Sequence, residues 1–194
     1  KSGQLLPQDF RARWECLQWL HWQMGNLGPM AGQNHHFALY AAEKLPYAID
    51  RYVRETGRLY RVLDRRLADR PFLAGDYSIA DIACYPWTVS HTRQRQNLDD
   101  FPNVRRWFDS IAARPATIRA YALGPKYRPS TVMTDEAKKI LFGQSAATIR
   151  RAVTLQGKVE LLGRELGDRE NPIDEIEFDP HVDDDVLRLM FTAC

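Results

Sequence analysis

Between residues 45 and 69 the side chains sort onto two opposite faces of a helix. Counted at about 100° per residue from Arg51, Arg54, Arg58, Arg61 and Arg65 stay within about 80° of the start. Ile49, Tyr52, Val53, Leu59, Tyr60, Leu63 and Leu67 fall between about 80° and 200° on the same count. Such a segment has one buried side and one cationic side, and Arg70-Pro71 ends it. Strand-type alternation is missing from the rest of the sequence, so the pattern predicts an all-α fold.

The other segments repeat the helical period. Residues 9–24 carry Trp14, Cys16, Leu17, Trp19, Leu20, Trp22 and Met24 almost all round the axis, which calls for partners on several sides. Gly25, Gly28 and Pro29 predict a break or kink after it. Ser78 and Asp81 have the spacing of a capping box, with Tyr77 and Ile82 at the staple positions. The helix that follows is apolar, and Pro86 inside it predicts a bend. Asn103 is the expected cap of the next helix, whose Val104, Trp107, Phe108 and Ile111 share a face. Arg114-Pro115 ends that helix, a short one follows over 116–122, and 124–134 reads as a loop. Thr134-Asp135-Glu136 opens a further segment.

Composition is that of a globular protein, with 44% apolar and 27% charged residues among 194. No run approaches the roughly 18 apolar residues of a membrane span, and Lys1 to Pro7 lack a signal-peptide core. The three cysteines, Cys16, Cys84 and Cys194, are too scattered for a disulfide framework or a zinc site, which points to a reducing, cytoplasmic setting. Charge divides the chain. Residues 1–149 hold 21 Lys+Arg against 14 Asp+Glu, and residues 150–194 hold 6 against 11, so balances of +7 and −5 lie behind the net +2. Lys1 is no initiating methionine and the chain stops abruptly at Cys194, so either end reads as a cut edge.

Few residues suggest chemistry by themselves. His35 and His36 diverge by about 100° on a helix, and no His or Cys pair has ligand spacing, so no metal site is expected. Cys84 sits among apolar neighbours as an inert thiol would. No serine lies in a Gly-flanked elbow, and no phosphate loop or paired-acid motif occurs. The arginine stripe reads as a solvated face beside Asp50, Glu55, Asp64 and Asp69, or as a docking face for an anion or an acidic partner surface. Nucleic acid is the weakest of its readings, because no stacking aromatics interleave with the arginines. Residues 28–36 either line a ligand pocket or redirect the chain.

The stretch Leu17-Gln18-Trp19-Leu20-His21-Trp22-Gln23-Met24-Gly25, continued by residues 28–37, resembles the C-terminal helical domain of nu-class glutathione transferases. These bacterial enzymes are related to glutathione-dependent disulfide-bond oxidoreductases. Pro46-Tyr47-Ala48-Ile49-Asp50-Arg51-Tyr52, residues 77–84, Thr92-Arg93-Gln94-Arg95, residues 114–117 and residues 138–144 continue the likeness. The resemblance implies a helical bundle over 9–149 preceded by a linker remnant at 1–8. It implies a homodimer, glutathione as substrate, and a small electrophile or disulfide as second substrate. It further implies that the thioredoxin-like domain carrying the activating groups is a missing partner, so no catalytic residue is assigned and the chain is expected to be inactive alone. Arg51, reaching a glutathione carboxylate across the dimer, and Gln18 are the implied glutathione contacts. Trp22, Gln33 and His36 are the implied pocket residues, and Ser78 with Asp81 the folding box.

Residues 150–194 resemble something else. Asp183-Asp184-Asp185 before Leu187-Arg188-Leu189-Met190-Phe191-Thr192-Ala193-Cys194 is similar to extracytoplasmic-function sigma factors, which implies a loosely attached helical tail. A transcription-related protein and a non-catalytic helical interaction module are therefore the competing functional expectations.

Overall fold

The computed structural model describes residues 4–127 and 134–143. The chain divides into two compact units, with a boundary in sequence between Leu123 and Gly124. The sigma-factor-like stretch 150–194 lies outside the described residues.

Among its described residues the regular structure of the first unit is helical apart from two isolated bridges in the 72–76 turn. Helix α1 spans Phe10–Trp22, with Asp9 capping it through a 2.9 Å hydrogen bond from the Ala12 amide to its carboxylate. The chain does not break at Gly25, Gly28 and Pro29. It continues through a π-helical turn, Gln23–Leu27, into α2, Gly28–His35, and through a second π turn, His36–Tyr40. The wide turn is the reason. The Gly28 amide reaches back five residues to the Gln23 carbonyl, and the added residue accommodates Pro29, which has no amide to donate. Gly28 is needed for packing: a Cβ there would stand 2.7 Å from Gln23 Nε2 and 3.3 Å from the Trp87 indole.

Helix α3 spans Pro46–Arg66 and α4 spans Ile79–Val89, unbroken by Pro86. Helix α5 is Pro102–Ala112. Leu59, Tyr60, Leu63 and Leu67 of the α3 stripe are buried with Cys16, Leu27, Cys84, Val104, Trp107 and Ile111 in one core. The cap of α5 differs from the expected one. Asn103 is inside the helix, and its amide donates to Asp64 Oδ1 at 2.9 Å, as Val104 N does at 3.3 Å. Asp64 is therefore not part of a solvated face. It is buried, because a carboxylate from α3 supplies acceptors that α5's own N-terminus lacks.

At α4 the Ser78–Asp81 box is formed. Asp81 Oδ2 accepts from the Ser78 amide at 3.0 Å, and Oδ1 accepts from the Leu73 amide at 2.9 Å and from Trp107 Nε1 at 2.8 Å. Burial pushes the Asp81 carboxyl above its usual range, against the pull of these bonds.

Helix α6 runs over Pro115–Tyr127, longer than the expected 116–122, so the supposed loop begins no earlier than residue 128. Pro125 is tolerated inside it. In the second unit, α7, Asp135–Phe142, is capped by Thr134, whose hydroxyl accepts from the Ala137 amide at 3.1 Å.

Candidate functional site

Helices α1 and α2 form one long rod running antiparallel to α3. Its pairings give the register: Trp19 lies under the Arg66 guanidinium at 5.1 Å, Asn34 donates to Thr56 Oγ1 at 3.0 Å, and Phe37 stacks on Tyr52 at 5.4 Å. The expected site residues consequently fall into two groups. Gln18 and Trp22 share a face of α1 near the C-terminal end of α3. Gln18 is exposed and Trp22 half-buried, its ring 5.2 Å from that of Trp19. His36 and Arg51 lie at the other end. The His36 ring meets Phe37 edge-on at 5.0 Å, and the Phe37–Tyr52 stack carries that contact to the turn holding Arg51. Gln33, exposed on α2, lies one turn before His36. Gln18 and Arg51 are separated by roughly 24 Å along the rods, from the 1.5 Å rise per residue.

Arg51 is exposed and 3.5 Å from Glu55 Oε2. Glu55 is shared: Arg58 donates to it at 2.6 Å and 3.0 Å, and that hydrogen bonding holds its carboxyl below the usual range. Arg51 keeps donors for a second carboxylate.

Between the two groups lies a buried polar network that no sequence pattern announced. Gln94 is fully buried. Its Oε1 accepts from the Tyr60 hydroxyl at 2.8 Å, its Nε2 donates to the Trp87 carbonyl at 2.7 Å, and its own carbonyl accepts from Asn34 Nδ2 at 3.0 Å. Gln96 Nε2 donates to the Val53 carbonyl at 3.0 Å. The loop after α4 is thereby bolted to α2 and α3, and Arg93 is left outside, donating to the Tyr40 hydroxyl at 2.8 Å. His35 lies edge-on to Tyr40, and burial, with the Arg93 charge second, lowers its pKa to about 4.

These residues offer guanidinium donors and aromatic walls. The Cys84 thiol is buried and pushed well above its ordinary pKa, so it is held protonated. Among the described residues no group of three or more His, Cys, Asp or Glu could hold a metal ion, and no helix is long and apolar enough to cross a membrane.

Residues 29–115 match the family Glutathione S-transferase, C-terminal domain. The chain is 54% identical over 121 residues to the disulfide-bond oxidoreductase YfcG of Escherichia coli, covering 62% of this chain and 56% of that protein. It is 39% identical over 127 residues to YghU of the same organism, covering 61% and 44%. A glutathione transferase crystal structure from Burkholderia graminis, with two glutathione molecules bound per subunit, superposes with a TM-score of 0.58 at 41% identity, covering 66% of this chain and 55% of that one. The chain thus spans about half the length of these relatives. Its helical segment over residues 29–115 belongs to the glutathione S-transferase C-terminal domains.

Proposed function

We propose that this chain supplies the helical half of a glutathione-dependent transferase or disulfide oxidoreductase. In this reading residues 1–8 are the end of a linker, 9–149 the helical domain and 150–194 an acidic appendage. The exposed apolar row along α1 and the π turn after it carries the proposal. Phe10 is 73%, Trp14 52% and Met24 63% exposed, with the Phe10 and Trp14 rings edge-on at 6.1 Å. Apolar side chains aligned on one helix in this way want a cover, and a thioredoxin-like glutathione-binding domain is the cover that the family likeness suggests.

The separation of Gln18 from Arg51 supports a homodimer. An extended tripeptide spans about 10 Å, under half that separation, which disfavours one glutathione touching both residues of one chain. With a second copy, Gln18 and Trp22 line the cleft of one protomer while Arg51 of the partner meets a glutathione carboxylate. Gln33 and His36 then face the second substrate, a small electrophile or a disulfide. The thiolate-activating groups belong to the thioredoxin-like domain, so the helical half alone conjugates nothing.

The test is an assay with glutathione and either chlorodinitrobenzene or a small disulfide. The 194-residue chain alone should give no turnover. Supplying a thioredoxin-like domain of this family in trans should restore turnover and reduce Trp14 fluorescence exposure to quencher. Robust turnover by the chain alone, or no association with such a domain, refutes the reading.

A further inference from the structure

Arg51, Arg54, Arg58, Arg61 and Arg65 present one guanidinium per turn of α3, about 5.4 Å apart over about 21 Å. Acids stand at the sides of the row. Asp50 holds Arg54 at 2.9 Å, and Glu55 holds Arg51 and Arg58. Asp64 lies 4.0 Å from Arg61 but gives its acceptors to α5. Residues 50–65 hold these five arginines against three acids, Asp50, Glu55 and Asp64, so the face keeps a surplus of positive charge.

Arg65 is exposed and, among the described residues, pairs with no carboxylate. It also lines a shallow depression with Trp19, Val62, Ala68, Arg66, Asp69 and Arg70, so the cationic row runs into a hollow whose apolar patch, Trp19, Val62 and Ala68, is rimmed by charge. Aromatic rings hold two of the neighbouring guanidiniums in place: Arg61 lies 4.9 Å from the Phe101 centroid and Arg66 5.1 Å from that of Trp19. Side chains ordered in advance lose less entropy when a partner arrives.

We propose that the row and the hollow together form a docking surface for an acidic amphipathic helix of another protein. Its carboxylates, spaced three and four residues apart, meet Arg54, Arg58, Arg61 and Arg65, and one large apolar side chain at its end enters the hollow over Trp19 and Val62. A helical partner is favoured because its repeat equals the spacing of the guanidiniums. Nucleic acid is disfavoured because no exposed ring stands between the arginines for a base to stack on; Tyr47, exposed on the same face, lies one turn before Arg51, at the end of the row.

The test is fluorescence anisotropy of the whole chain with a labelled helical peptide of about 16 residues, bearing Glu at three- and four-residue spacing and a terminal Leu. Saturable binding should weaken about tenfold when the glutamates are scrambled, and about tenfold in Arg58→Glu combined with Arg65→Glu. Replacing the peptide's Leu by Ala should cost about fivefold, and raising salt to about 0.3 M should loosen the complex. Arg65→Gln, which leaves every ion pair of the row intact, should weaken binding in the same direction if the double variant folds poorly. Equal affinity for ordered and scrambled peptides, unchanged affinity in both variants, or tighter binding of an oligouridine RNA would overturn the proposal.

Discussion

Asp64 Oδ1 accepts the backbone amide of Asn103 at 2.9 Å, so a side chain of α3 caps α5 across 39 residues of sequence. The bond couples two helices that the core already presses together. Local and tertiary structure therefore fail together when it is lost.

Asp64→Ala leaves the amides of Asn103 and Val104 without their acceptor. A loss of about 1–2 kcal/mol is expected, the cost of deleting a helix cap, read as a lower urea midpoint at constant slope. Asp64→Asn keeps one acceptor and should lose about half as much. No loss in Asp64→Ala would show that solvent serves these amides equally well.

Asp81 is a sharper case because both its oxygens receive donors, from Leu73 and Trp107 on one side and Ser78 on the other. Asparagine must turn an NH2 toward one of those pairs. Asp81→Asn should cost about 2–4 kcal/mol, although it removes the burial of a charge, because unsatisfied buried donors are expensive. A variant as stable as the parent would mean that the carboxyl is already protonated in the fold.

His35 sets a pH dependence. In the unfolded chain it takes a proton near its ordinary value of 6.5, and in the fold only near about 4. Between these values the unfolded state binds more protons, so stability is full above about pH 6.5 and falls as pH drops toward 4. Urea midpoints measured from pH 7 to 4 should decline less steeply in His35→Gln. Parallel curves would place the acid sensitivity elsewhere.

Arg95 has a φ of 59°, in the left-handed region. Its amide donates to the Thr92 carbonyl at 3.0 Å, and that of Gln96 to the His91 carbonyl at 2.9 Å, which is the pairing of a Schellman turn. Glycine takes that conformation without strain, so Arg95→Gly should stabilise by about 0.5–1 kcal/mol, checked by thermal unfolding. Destabilisation would reveal a contact of the Arg95 side chain worth more than its backbone strain.

The sequence exposed those features whose cause is local. The two-faced α3 and the Ser78–Asp81 box are set by spacing within one segment, and both were legible. The cap of α5 was not, because Asp64 looks like any acid among arginines until α3 lies beside Asn103. Gln94 was equally opaque: a glutamine between two arginines reads as surface, and only the fold brings Tyr60, Trp87 and Asn34 around it. The continuity of α1 into α2 was missed for another reason. Gly25, Gly28 and Pro29 are breakers on an ideal helix, and a π turn lets the backbone carry them. Among the proposed site residues, the sequence likeness gathered Gln18 and Arg51 into one list, whereas the antiparallel rods set them far apart.

The wide turn at Gln23–Leu27 also governs how this rod tolerates changes in length. A π turn is an ordinary helix holding one surplus residue. Removing a single residue there would let the backbone relax to regular winding while Asn34 and Phe37 keep their seats against Thr56 and Tyr52. Removing one from residues 28–33 would swing those side chains by about 100° and pull them from the core. The rod thus contains a slack link, and variation in chain length can collect there without unseating the residues beyond it.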